Sequence, residues 1–135
     1  MIFSKFIKKR HREKTAAEKE LERIKIFQKY NGRCAYCGCK LEYKDMEISQ
    51  LPKRNSFFRE PVIQKTLPAC ESCYFQAGAF SLEEFRTQID TTILEYLRED
   101  TIYKLAIKYG VIKEMDPPYV FYFEKIDAEK EKEAI

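Results

Sequence analysis

At 135 residues, 44% hydrophobic and 35% charged, the chain is the size of one domain with a modest core, and its apolar opening, Met1 to Ile7, is far too short to span a bilayer. The net charge of +3 is unevenly spread: residues 1 to 33 carry eleven Lys/Arg against four Glu, residues 34 to 80 six against five, and residues 81 to 135 eight against thirteen. A basic front, a neutral middle and an acidic end suggest a nucleic-acid-seeking arm. The odd number of cysteines at metal-like spacings, the short apolar opening and the lack of a signal-like start predict a soluble, cytoplasmic protein with no membrane partner.

Residues 1 to 14 form that arm, with Lys5, Lys8, Lys9, Arg10, Arg12 and Lys14 interleaved with Phe3, Phe6 and Ile7. It reads equally as a phosphate-binding segment and as the solvated face of a helix. Thr15 followed by Glu18 is a capping box and predicts a helix with Leu21, Ile24 and Phe27 as its buried stripe, stopped by Asn31-Gly32. From Lys40 to Leu51, the apolar residues Leu41, Tyr43, Met46, Ile48 and Leu51 around a Lys44-Asp45 break predict a short β-hairpin. A loop is expected through Pro52, Lys53, Arg54, Asn55 and Pro61. Ser81-Leu82-Glu83-Glu84 is a second capping box, and Leu82, Phe85, Ile89, Ile93, Tyr96 and Leu97 predict a helix of roughly four turns. Thr101 to Tyr109 predicts another helix, with Ile102, Leu105, Ala106 and Tyr109 inward and Gly110 as its stop. Asp116-Pro117-Pro118 turns the chain into Tyr119-Val120-Phe121-Tyr122-Phe123, an aromatic run of high strand propensity expected to complete the core. From Asp127 the charge is dense and no apolar period remains. The implied organisation is an arm over 1–14, one domain over 15–126 and a charged tail over 127–135.

The chemistry lies in five cysteines. Cys34-Ala35-Tyr36-Cys37-Gly38 and Cys70-Glu71-Ser72-Cys73 are two-residue-spaced pairs framing a 32-residue segment without histidine. Two such turns each present two sulfurs to one ion, so Cys34, Cys37, Cys70 and Cys73 are the expected ligands of a structural Zn2+. Disulfides fit a reducing compartment poorly, and a redox pair would need one motif rather than two. Cys39 is left over, either as an exchange ligand for Cys37 or, more commonly for such a residue, as a free thiol. A four-cysteine site is coordinatively closed, so it would hold structure and not activate water. The single histidine, His11, lies in the arm, where a solvated or phosphate-facing role is expected.

These motifs resemble the HNH family of endonucleases, in its subgroup with a ββα-metal fold stapled by two cysteine knuckles. The resemblance rests on Gly32-Arg33-Cys34-Ala35-Tyr36-Cys37-Gly38, on Met46-Glu47-Ile48 before Pro52, on Pro68-Ala69-Cys70-Glu71-Ser72-Cys73, on Gly78 and on the Ser81-Leu82-Glu83-Glu84-Phe85-Arg86 helix start. It covers about residues 23 to 98, and a final Phe121-Tyr122-Phe123-Glu124 strand resembles the ending of some small members. It implies an α+β fold: a small zinc-stapled ββα-metal core with flanking helices and a C-terminal strand. It also implies where catalytic groups would stand. The family's Asp-His pair falls on Ser49-Gln50, or one residue earlier if the short approach to Pro52 shifts the register, a later Asn near Lys65 or Thr66, the Asn after the last cysteine on Tyr74, and a following Lys on Ala77. Ser and Gln cannot serve as a base near pH 7, and a missing base typically costs on the order of 10²- to 10⁴-fold.

The expected function is therefore a catalytically degenerate, HNH-like zinc protein that binds nucleic acid, DNA before RNA, without cutting it. Lys53, Arg54 and Arg59 in the loop would join the arm in contacting phosphates. A second reading is a protein-interaction module or inhibitor on the same scaffold, with Phe57, Phe58, Tyr74, Phe75 and Phe80 around the lost site. A third is an active endonuclease that assembles a Mg2+ or Mn2+ site from groups such as Asp45, Glu47 and Glu71.

Overall fold

The structure is a computed structural model that describes residues 13–52 and 63–133. Lys5, Lys8, Lys9, Arg10, His11 and Arg12 of the arm lie outside the described residues, as do Lys53, Arg54, Phe57, Phe58 and Arg59 of the loop.

Helix α1 (Ala16–Lys29) starts where expected: the Thr15 hydroxyl accepts the Glu18 N–H at 3.2 Å, and Asn31 (φ 59°) and Gly32 (φ 68°) end it in the left-handed region. Its stripe is shallower than predicted, since Ile24 and Phe27 are half-buried and Leu21 is exposed.

The hairpin differs from the sequence reading. Lys40 only bridges Arg33, and Tyr43–Asp45 is a single 3₁₀ turn. The sheet is instead formed by β1 (Glu47–Pro52) paired antiparallel with β2 (Ile63–Ala69), in a register that sets Ser49 opposite Leu67 and Gln50 opposite Thr66. Pro68 hides β2 from sequence inspection because proline has no N–H to give a ladder. It is tolerated in an edge strand, where its free carbonyl accepts the Ala35 N–H at 2.8 Å.

Cys70 leads directly into α2 (Glu71–Ala79). The next helix is one rod in three parts: α3 (Leu82–Thr87), a π-helical turn (Gln88–Thr92) and α4 (Ile93–Leu97). Its capping box is complete, with Ser81 and Glu84 each accepting the other's backbone N–H. The π turn inserts a residue and so rotates everything after it. Phe85 is buried and Ile89 half-buried, whereas Ile93, Tyr96 and Leu97, which share their face at a period of 3.6, are turned out to solvent.

Helix α5 (Thr101–Lys108) is capped by the Asp100 carboxylate on the Tyr103 N–H at 3.0 Å. Its apolar face does not point inward: Ile102 is 77% and Tyr109 72% exposed. The C-terminal strand is also corrected. Tyr119 to Phe121 is irregular, and Tyr122–Glu133 is a helix, α6, running through the start of the expected tail. Strand propensity is overridden in this segment, whose Tyr122 and Phe123 N–H groups are bonded outside any strand. Its first turn is tied instead to the Cys34–Cys37 knuckle, through the Phe123 N–H on the Ala35 carbonyl at 2.7 Å and the Tyr122 N–H on the Tyr36 carbonyl at 3.2 Å. The expectation that this aromatic run completes the core holds, since Phe121 and Phe123 are buried against Tyr36 and Phe85. Overall the molecule is mixed helix and strand, an α+β arrangement.

Candidate metal centre

Two local devices aim the four sulfurs at one point. In the first knuckle, Gly38 (φ 79°) lets the chain double back, so its N–H reaches the Cys34 carbonyl at 2.9 Å while the Cys34 N–H reaches the Cys39 carbonyl at 2.8 Å. The Tyr122 ring packs over this turn, 3.5 Å from where a Cβ at Gly38 would sit, an ordinary contact distance, so it is the left-handed φ that calls for glycine. In the second knuckle, Cys70 caps α2 and Cys73 lies in its first turn, so a helical start sets the sulfur spacing. The Ala35–Pro68 backbone bond fixes one knuckle against the other.

The Sγ atoms of Cys34, Cys37, Cys70 and Cys73 all lie within 4.8 Å of one another, and Cys37 Sγ is 3.9 Å from Cys70 Sγ. A tetrahedral ion with bonds of about 2.3 Å to sulfur requires edges of about 3.8 Å, so the donor set fits one metal ion. All five cysteines are free.

The four thiols influence one another's protonation in opposite directions, Cys34 and Cys70 being lowered and Cys37 and Cys73 raised. The Cys34 thiol is held down to about 4, chiefly by a hydrogen bond from the Cys73 thiol; burial opposes this, and the backbone N–H groups of Cys70, Cys37 and Tyr36 support it. Cys73 is pushed far up, first by the proton it donates to Cys34 and then by burial. Protons thus occupy the ground a metal would take, and an ion that displaced them would meet four thiolates. Cys39 stays outside the group of four. Its thiol is pushed up to about 12, by desolvation first and then by Cys37.

The positions implied by the HNH resemblance come together nearby. Ser49, Gln50 and Tyr74 line one hollow of about 520 Å³ between β1 and α2, with Ile48, Phe75, Ala77, Gly78 and Ala79 completing it. Ser49 is 7% exposed and shares a 2.7 Å hydrogen bond with the Tyr36 hydroxyl. Gln50 is exposed, and Tyr74 is 39% exposed. Lys65 is paired with Asp127, and Thr66 is the cross-strand neighbour of Gln50. Of the anticipated phosphate-binding groups, only Lys14 is described, and it is bonded to Glu22. Among the described residues, Asp45, Glu47 and Glu71 do not converge into a second metal-holding group. Phe80 is half-buried against the core, whereas Phe75 is 65% exposed.

Two features escaped the sequence. Tyr36, read only as a knuckle residue, is the hub of the aromatic core, in ring contact with Phe85, Phe121 and Phe123; its place inside the Cys34–Cys37 turn was the available signal. Arg86 makes a fork to Glu124, Nη1 to Oε1 at 2.8 Å and Nη2 to Oε2 at 2.9 Å, and donates to the Tyr119 carbonyl, fixing α3 to the start of α6. No local spacing announces a pair 38 residues apart. Among the described residues, no helix is long and apolar enough to cross a membrane. Compared with protein-family models, curated proteins and solved structures, the chain has no match.

Proposed function

We propose that this chain is a zinc-stapled, HNH-like module that binds nucleic acid without cutting it. The observation that carries the reading is the hollow shared by Ser49, Gln50 and Tyr74. It sits beside a closed four-sulfur group, at the positions where the resemblance would set a general base and metal ligands, and it offers a buried, bonded hydroxyl, an amide and a phenol instead. None of these accepts a proton readily near pH 7. Zinc suits four thiolates in a tetrahedron better than the hard cations, which prefer oxygen. The basic arm and loop supply phosphate contacts that are tolerant of sequence and sensitive to salt.

A binding titration of the full-length, zinc-loaded protein across salt concentration tests this. Affinity at low salt, with a salt slope that falls when residues 1 to 14 are deleted, is expected; no affinity at low salt, or an unchanged slope, overturns it. Plasmid nicking with Mg2+ or Mn2+ should be absent, and cleavage abolished by Glu47→Gln or Gln50→Ala would establish the nuclease reading instead. A protein-interaction module is the second reading, favoured by the exposed Ile93, Tyr96, Ile102, Tyr109 and Val111.

A further inference from the structure

The described surface around β1 joins two hollows of different chemistry. Ile48 and Gln50, two residues apart and so on one side of the strand, line two adjoining hollows. The first, about 520 Å³, contains no charged side chain and is walled by Tyr74 and Phe75 of α2, whose rings meet edge-on at 6.0 Å. Its far side is made of small residues, and beyond the Gly78 Cα the space is open for at least 4 Å. The second, about 480 Å³, lies between α1 and the sheet. It is lined by Lys14, Lys19, Arg23 and Lys25 against the single carboxylate of Glu22, which Lys14 occupies. Among the described residues, neither Lys19 nor Lys25 forms an ion pair.

An uncharged aromatic hollow beside a cationic one matches a strand whose bases are unpaired. Exposed rings accept a base face only when that base is free of a duplex, and lysines a step away take the phosphates. A folded protein partner would use the aromatics but leave the lysine row unexplained. A duplex would use the lysines and leave the rings without a face to stack on.

We infer that the hollows on either side of Ile48 and Gln50 form a binding site for single-stranded nucleic acid, with Tyr74 and Phe75 stacking on bases and Lys19 and Lys25 contacting the backbone. The inference rests on the nucleic-acid reading above and sharpens it. Tyr74 and Phe75 are exposed, so their loss leaves the core intact.

Fluorescence anisotropy with full-length, zinc-loaded protein, using a labelled twelve-residue oligothymidylate and a duplex of equal length, separates the two levels. Tighter binding of the single strand is expected. Tyr74→Ala combined with Phe75→Ala should weaken it by about 10-fold or more, while duplex binding changes far less. Lys19→Ala combined with Lys25→Ala should lower the single-strand salt slope by about 1.4. Unaltered single-strand binding by the aromatic variant, at wild-type zinc content and melting temperature, overturns the stacking site, as does a duplex bound as tightly as the single strand. Polyglutamate bound as tightly as oligothymidylate would reduce the site to charge alone and also overturn it. Absence of binding to both nucleic acids would sink the broader reading with it.

Discussion

The chain around Tyr36 and the stretch from Ile93 to Met115 are both rich in aromatic and aliphatic residues, yet the first closes over them and the second displays them. Tyr36, Phe85, Phe121 and Phe123 are buried together, whereas Tyr96, Ile102, Tyr109 and Val111 are mostly exposed. The difference lies in the backbone bonds that bring distant segments together. Around Tyr36, the Ala35–Pro68, Phe123–Ala35 and Tyr122–Tyr36 bonds join three parts of the chain that are far apart in sequence. From Ile93 to Met115 the ties are local: Arg98 and Tyr103 both reach Glu114, at 2.8 to 3.0 Å. An amphipathic helix buries its apolar face only if another face is delivered to it, and delivery here centres on the four-cysteine cluster.

That contrast breaks most visibly on metal removal. Structural zinc is linked to about 10 kcal/mol or more of folding free energy, comparable to the whole stability of a domain. Chelation, or Cys34→Ser, is therefore expected to abolish the cooperative melting transition and the near-ultraviolet tyrosine signal, because Ala35 and Tyr36 are anchored between two ligands. Acid should act in the same direction, since protons compete for the thiolates. A chelated protein that still melted cooperatively at the same temperature would show that the aromatic core, and not the ion, organises the fold.

How much of this the sequence disclosed follows the same division. Whatever is fixed by neighbours was legible: the Thr15 and Ser81 caps, the Asn31-Gly32 stop and the paired spacing of the four clustered cysteines. What depends on distant partners was not. Strand β2 hid behind Pro68, because only the Ala35 N–H 33 residues away explains why a proline stands there. Tyr119 to Phe123 had the composition of a strand and became the entry to a helix, because its partner is the knuckle backbone. At Ile93 the 3.6-residue pattern was present in the sequence, but the π turn at Gln88–Thr92 rotated it away from the core. The candidate site divides likewise: the sulfurs were readable, while Lys19 and Lys25 reach the surface beside Gln50 only through the packing of α1 on the sheet.

A smaller effect is expected from the Arg86–Glu124 fork, which holds the two ends of the closed region together. Burial opposes ionisation of Glu124, but hydrogen bonds from Arg86 and the Phe121 N–H overcome it and set its carboxyl below the usual range. Arg86 is shifted the other way, first by the Glu124 hydrogen bond, and stays charged throughout. A depressed carboxyl stabilises the fold fully above its unfolded value of about 4.3 and ceases to do so as pH falls through the folded one. Glu124→Gln should therefore cost about 2 kcal/mol at pH 7, and the gap from wild type should shrink on acidification below about pH 4. Urea denaturation at several pH values reads it. A gap that stayed constant would assign the effect to packing over the Phe121 ring, 4.9 Å from the Arg86 guanidinium carbon, rather than to charge.

The smallest effect should come from the displayed face. Ile102→Ser and Tyr109→Ser remove side chains already in water, so each is expected to change stability by less than about 0.5 kcal/mol in urea. Their exposure also means that wild type gains nothing from concentration unless another surface covers them. Melting temperature measured across a hundredfold range of protein concentration supplies that second reading, because association stabilises by mass action. A loss of 2 kcal/mol or more on Ile102→Ser, together with a melting temperature that rises with concentration in wild type alone, would mean that the face is buried between copies. The two regions would then differ only in where the covering surface comes from: within one chain around Tyr36, and from a second chain between Ile93 and Met115.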